Sequence, residues 1–496
     1  GRQEARDRTR RWLIGEKRDG MAGDERERCA IVSMECPYTK SAVLRAFGLH
    51  LSDWTVLETR NPEGEGAGDS DDEDSGPPAD IPFGGRVIAA DDDTDGEEES
   101  GDGGSVAPVV TDEEREAWAA AASAAVLQWS DYEQLDWKQV LGGQLVANAY
   151  CVRKGLIRKA QLAFNVEKFL AKAPQDAALR AGFPQSFPIT IYHSDYVDEA
   201  LCDLPEVKYM EPGSAIWILK PNLTNRGTGI ELFDSCDRFV QIVEAEENED
   251  IREWVVQRYI DRPLLVDGRK FHLRAYVLAV GALRVFFFAD VLALFSLQQY
   301  PAEGADTEIA NYAAHLTNTC YQHRVEGGEE AFDENKAVRL WSELAGEVHG
   351  GEAALDFVTD SMHKLTGEVF QACAGEVGFF PVPNCFELFG LDFLVETKQP
   401  MATYDASAPA TLPMDELYQV YLLEINAEPD FVQTGDRLRT IVEELLDLST
   451  RLVSSHFFPD QVAEEVRSLP LEKLSLVYEQ AESPYMAGGS SMAFRE

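Results

Sequence analysis

Two stretches decide the fold: Phe389-Gly-Leu-Asp-Phe-Leu394 and Leu422-Leu-Glu-Ile-Asn-Ala-Glu428. Each reads as an apolar strand interrupted by an acid. Asp392 stands between Leu391 and Phe393, while Glu424 and Asn426 are two positions apart and share one face of an extended chain. An unpaired carboxylate is costly to bury in such a strand. Two arrangements resolve the cost: hard oxygen ligation of Mg²⁺ bridging nucleotide phosphates, or a structural pairing with Arg.

Other stretches supply cations. Trp217-Ile-Leu-Lys220 reads as a buried strand ending on Lys, followed by the Gly-rich loop Asn225-Arg-Gly-Thr-Gly-Ile230. Glycines let backbone N–H groups approach phosphate oxygens, and Lys adds a point charge. No GKS/T follows and no helix opens there, so it is not a Walker A loop; a plain hairpin fits equally well. In Arg269-Lys-Phe-His-Leu-Arg274, Lys270, His272 and Arg274 alternate and share a strand face, which suits anionic groups. Val255-Val-Gln-Arg-Tyr-Ile260 is a core strand or a strand edge for adenine, and His315-Leu-Thr-Asn-Thr319 is a polar cluster that could equally be a turn.

The chain has 496 residues, 45% hydrophobic, with a net charge of −44. Residues 61–116 hold twenty Asp or Glu against two Arg and read as a mostly disordered insertion, with Ile81-Pro-Phe-Gly-Gly85 as a docked exception. So acidic a surface repels nucleic acid and anionic membranes. No long apolar run suggests a membrane span, and the charged first thirty residues lack a signal-peptide core. The eight cysteines show no CxxC spacing, consistent with reduced thiols and a cytoplasmic location. Residue 1 is Gly rather than Met, as in a processed chain or a fragment.

Taken in order, these motifs resemble the tubulin–tyrosine ligase family. The resemblance runs from about Asn148 to Asn426 and also takes in Leu156-Ile-Arg-Lys-Ala160, Phe183-Pro-Gln-Ser186, Pro263-Leu-Leu265 and Ile81-Pro-Phe-Gly84. It implies an α+β ATP-grasp fold with a βαβ-type N-terminal subdomain and two α/β lobes enclosing ATP. The expected division is a tail at 1–28, an N-terminal subdomain at 29–150, a central lobe at 151–258, a C-terminal lobe at 259–470 and a tail at 471–496. By this resemblance Lys159, Lys220, Arg226, Gln257, Arg258, Tyr259, Ile260, Lys270 and His272 would hold ATP. Asp392, Glu424 and Asn426 would hold Mg²⁺; Arg274, Thr317 and Asn318 would face substrate, with Arg274 and Glu424 catalytic. The implied activity is ATP-driven ligation of a free amino acid to a protein carboxylate, a tubulin tail being one candidate, through an acyl phosphate. A non-tubulin acceptor, or a catalytically weak nucleotide-binding module, are the other readings.

Two departures from the family pattern stand out. His272 replaces the usual Asp, and Ala293 stands where an Arg facing anionic reactants is usual. Arg153, Lys154, Arg158 and Lys159 are expected to build a basic groove for an acidic acceptor.

Overall fold

The computed structural model describes residues 28–51, 54–60, 86–91, 125–222, 229–301, 311–317, 337–399, 410–431 and 438–480. Contacts divide the chain into two units. The first comprises Gly1–Tyr150, Asn384–Phe386 and Thr440–Pro470; the second comprises Cys151–Pro383, Glu387–Arg439 and Leu471–Glu496.

The first unit is built on a parallel sheet in the order β3-β2-β1-β4-β5. Its strands are β1 (Cys29–Ser33), β2 (Thr55–Arg60), β3 (Arg86–Asp91), β4 (Leu127–Ser130) and β5 (Val146–Ala147). All five residues of Cys-Ala-Ile-Val-Ser are buried, as a parallel strand covered on both faces requires. The helix Pro37–His50 opens on Pro, whose missing N–H costs nothing there, and buries Ala42, Val43, Ala46 and Phe47. Beside it lies the helix Arg439–Phe457, joined by Arg45–Glu443 at 2.5 Å and His50–Asp447 at 2.7 Å. That helix was expected in the C-terminal lobe; from Thr440 it belongs to the first unit. The expectation for 61–116 also needs correction. Arg86–Asp91 is a strand, with Val56 opposite Val87 in parallel register. The rest of the insertion, Ile81–Gly85 included, lies outside the described residues.

The second unit holds two sheets. The smaller is antiparallel, β6-β9-β7-β8, formed by β6 (Ser186–Thr190), β7 (Trp217–Pro221), β8 (Glu231–Phe233) and β9 (Glu253–Arg258). Leu219, Phe233, Phe239, Trp254 and Val256 form its core. The larger has eight strands: β10 (Leu265–Val266), β11 (Arg269–Val280), β12 (Arg284–Phe288), β13 (Leu292–Gln299), β14 (Val338–Leu340), β15 (Phe386–Thr397), β16 (Tyr418–Ala427) and β17 (Leu474–Glu479). The helix Glu352–Cys373 buries Leu355, Val358, Met362, Leu365, Val369 and Phe370 at helical spacing. This mixture is the α+β arrangement expected.

One local expectation fails here: the tail at 471–496 contains β17, which pairs with β12. The edge strand β14 is followed by a 3₁₀ turn at Trp341–Leu344, and Val338 pairs with Leu294 of β13. Phe164, on the helix Lys159–Leu170, is 59% exposed. Among the described residues no helix is long and apolar enough to cross a membrane, and no cysteine forms a disulfide.

Candidate active site

β11 brings Lys270, His272 and Arg274 to one face, and the antiparallel pair β15–β16 sets Asp392 opposite Glu424 and Gly390 opposite Asn426. Asn426 Nδ2 donates to Asp392 Oδ2 at 3.3 Å and to Glu424 Oε1 at 3.4 Å. Those two carboxylate oxygens therefore lie no more than about 7 Å apart, within reach of one or two Mg²⁺ ions and their bridging oxygens. Among the described residues no group of three or more His, Cys, Asp and Glu is arranged to hold a metal by itself. Two carboxylates suit Mg²⁺ completed by phosphate and water oxygens, and Asn426 would join them by turning its Oδ1 in place of the Nδ2 that now faces both carboxylates.

Asp392 also takes the other arrangement weighed from sequence. Arg274 grips it bidentately, Nε to Oδ1 and Nη2 to Oδ2, the latter at 2.9 Å. Burial alone would lower the Arg274 pKa; the Asp392 carboxylate outweighs it and raises it well above the ordinary value. A carboxylate has about four lone-pair sites, so with Arg274 and Asn426 both on Oδ2, Oδ1 keeps one for another partner.

The cations converge on the same cleft. It is lined by Lys220, Lys270, His272, Thr317, Asp392 and Glu424, with Ile218, Ile230, Tyr259 and Leu394 among its other walls. Lys220 Nζ donates to Gln257 Oε1 at 2.8 Å, and Gln257 Nε2 is held by Ser186 Oγ at 2.9 Å. Burial pushes the Lys220 pKa down to about 8, against the upward pull of Glu424 and Asp392. Lys270 donates to Tyr259 Oη and the His315 carbonyl, each at 2.9 Å, and sits 4.4 Å from the Tyr259 ring centre. Burial, aided by the charge on Lys220, lowers its pKa to about 7. Glu424 faces Lys159 at 3.6 Å. Burial would raise its pKa, but Lys159, Lys220 and Arg274 outweigh that and hold it at about 2.

His272 Nδ1 hydrogen-bonds Thr317 Oγ1 at 2.6 Å, and burial lowers its pKa. Tyr259 and Ile260 are buried, and the Tyr259 N–H is committed to the Ile216 carbonyl. Arg258 lies over the Trp217 ring, 5.7 Å from its centre. Arg226 and Asn318 fall outside the described residues.

Two expectations are corrected. Arg153 does not join a surface groove; it is buried and donates to Glu387 Oε1 and, at 2.6 Å, to Glu428 Oε1. The missing Arg at Ala293 leaves no gap beside Arg274. Ala293 pairs with Leu273, whereas Arg274 pairs with Leu292 and His272 with Leu294. Directly paired residues share a face, so Ala293 lies on the side opposite His272 and Arg274.

Asn222 is a residue that motif reading passed over. It is buried just after Lys220; its Oδ1 accepts from Ala160 N at 2.9 Å and its Nδ2 donates to Glu253 Oε2 at 2.5 Å. It thereby ties the end of β7 to the start of the helix Lys159–Leu170, next to Lys159. A polar residue directly after an apolar strand was the available signal.

Known proteins share this architecture. The profile of the tubulin–tyrosine ligase family matches residues 155–464. A probable tubulin–tyrosine ligase of Schizosaccharomyces pombe is 31% identical over 382 residues, covering 69% of this chain and 86% of that protein. The probable tubulin–tyrosine ligase PBY1 of Saccharomyces cerevisiae is 29% identical over 365 residues, and the match spans 65% of this chain but only 45% of PBY1. Among solved structures, the C-terminal domain of K. lactis Pby1, described as an ATP-grasp enzyme interacting with the mRNA decapping enzyme Dcp2, aligns with a TM-score of 0.56 and 25% identity over 92% of this chain and all of that one. The fold is ATP-grasp, and the chain belongs to the tubulin–tyrosine ligase family.

Proposed function

We propose that the protein is an ATP-dependent carboxylate–amine ligase that joins a free amino acid to a protein carboxylate. The observation that carries this reading is the opposition, in one cleft, of Lys220 and Lys270 to Asp392 and Glu424, with Asn426 bonded to both carboxylates. Clamping a transferring phosphoryl group between cations and metal-holding carboxylates is what such chemistry chiefly needs.

In this reading Lys220 and Lys270 hold the ATP phosphates, with Lys159, Gln257 and the Arg258–Ile260 segment beside them. Arg226 is assigned to ATP by the family resemblance alone. Asp392, Glu424 and Asn426 hold Mg²⁺, which would neutralise charge on the transferring phosphoryl group. The acceptor carboxylate attacks the γ-phosphorus and ADP leaves. The amine of the incoming amino acid then attacks the acyl carbon; phosphate leaves and the ammonium proton passes to solvent. Arg274, fixed by Asp392, orients the carboxylate or phosphate, with Thr317 in the same cleft, and Asn318 is assigned to substrate by the family resemblance alone. Removing water from the cleft strengthens each of these charge contacts.

The acceptor is a protein. A tubulin tail fits the family's name; another protein acceptor is supported by the K. lactis relative, whose description names the protein partner Dcp2. The test is intact-mass spectrometry of candidate acceptors incubated with the protein, ATP, Mg²⁺ and each amino acid in turn. An acceptor should gain one amino acid residue as ADP and phosphate appear in equal amount. ADP formation that never accompanies a mass gain would reduce the protein to a nucleotide-binding module or an idle ATPase.

A further inference from the structure

Asn222 ties together the ends of three elements. It follows Pro221, the last residue of β7, and stands two positions after Lys220. Only 3% of it is exposed. Its backbone N–H donates to the carbonyl of Glu253, the first residue of β9, at 2.9 Å. Its Oδ1 accepts from Ala160 N at 2.9 Å, and its Nδ2 donates to Glu253 Oε2 at 2.5 Å and to Gln161 Oε1 at 3.3 Å.

The bond to Ala160 has a specific consequence. The first N–H groups of a helix have no partner within it. The helix Lys159–Leu170 opens after Arg158, whose side chain makes no cap. Asn222 supplies the cap from another element. The N–H it accepts belongs to the peptide joining Lys159 to Ala160, so the bond holds the Lys159 backbone against the end of β7. Lys159 and Lys220 both act on the Glu424 carboxylate, and Lys159 stands 3.6 Å from it. Burial is the larger cause of the low Lys220 pKa, and repulsion from Lys159 adds to it. Like charges in one cleft move apart unless the backbone beneath them is fixed. The amide suits both neighbours, with an acceptor for Ala160 and donors for Glu253 and Gln161. Asp would turn an acceptor onto Glu253, and Leu would leave Ala160 N and Glu253 without it.

We propose that Asn222 is a positioning residue for the nucleotide: by capping the helix at Ala160 while anchored on Glu253, it sets Lys159 at the distance from Lys220 at which both ammonium groups meet the ATP phosphates. The inference rests on the reading of Lys159 and Lys220 as ATP-binding groups given above.

The experiment measures ATP affinity of the full chain by isothermal titration in EDTA, so that metal plays no part. Asn222→Asp should weaken binding at least tenfold. In Asn222→Asp combined with Glu253→Gln, donor and acceptor exchange sides, and affinity should return to within about threefold of the native value. Asn222→Ser shortens the side chain without adding charge and should also weaken binding at least tenfold, so the test survives a carboxylate variant that fails to fold. Lys159→Ala should itself weaken binding at least tenfold, and adding Asn222→Ser to it should change affinity less than about threefold, because the two act as one unit. A purely structural role would lower Tm but leave the two losses additive. Additive losses, native affinity in folded Asn222→Ser, or a loss in Asn222→Asp that Glu253→Gln does not restore, overturn this inference and leave the ATP site standing. Native affinity in Lys159→Ala and Lys220→Ala alike removes the ATP-binding reading itself, and this inference with it.

Discussion

Replacing Glu424 with Gln removes one charge and little volume. The structure sets the scale of the effect. Glu424 is held at about 2, against an ordinary 4.5, by Lys159, Lys220 and Arg274 acting against burial. At about 1.4 kcal/mol per pH unit, the carboxylate form gains roughly 3 kcal/mol from its surroundings. The folded pKa is depressed, so this contribution is complete above pH about 4.5 and is lost as pH falls toward 2. In Glu424→Gln that contribution disappears at neutral pH, and Lys220 loses the neighbour that most raises its pKa from the burial-lowered value. Three cations then face one another across the cleft with less compensation, and Tm should drop by a few degrees. The sharper effect concerns ATP. With EDTA present, ATP affinity should hold or improve, since a negative charge has left a site for phosphates. With Mg²⁺ present, the metal-dependent gain in affinity should shrink at least tenfold, or about 1.4 kcal/mol, and turnover should vanish. Isothermal titration under both conditions, with circular dichroism to check the fold, reads all of this. An undiminished Mg²⁺-dependent gain would refute the reasoning.

Lys220→Ala should weaken ATP binding at least tenfold even in EDTA, because the contact is to phosphate and not to metal; equal affinities would remove Lys220 from the site. Lys270 and Lys220, lowered to about 7 and about 8, should take up protons when phosphates arrive, so metal-free ATP affinity should fall as pH rises from 7 to 9. Titration in buffers of different ionisation enthalpy measures that uptake, and none at pH 8 would contradict it. Arg153→Ala removes the guanidinium that the buried Glu387 carboxylate pairs with and should cost about 3–5 kcal/mol of stability, read by urea denaturation. A loss below about 1 kcal/mol would mean that Glu387 is solvated or rebonded.

The parts of the site legible in sequence were those where chemistry contradicts its surroundings. Asp392 between Leu391 and Phe393, and Lys220 closing Trp-Ile-Leu, are charged groups in strands that the core demands. The two-residue strand period then gave the shared faces of Lys270, His272 and Arg274 directly. Placement that depends on partners was less legible. Arg153 reads like its neighbours Lys154 and Arg158, and only Glu387, more than two hundred positions away, makes it a core residue. β14 and β17 are short, and their residues become strands because β13 and β12 offer edges to pair with. The apolar run Val87-Ile-Ala-Ala90 was masked by the acids on either side, although β2 accepts it in register. Ala293 was read from motif position, whereas its face is set by the pairing of β13 with β11.

The most direct test of the central claim is a crystal structure of the protein with ADP and Mg²⁺. The account predicts phosphate oxygens within about 3.2 Å of Lys220 Nζ and Lys270 Nζ, and a metal bound by Asp392 and Glu424 at about 2.1 Å. A nucleotide seated elsewhere, or a metal with neither carboxylate among its ligands, would contradict it.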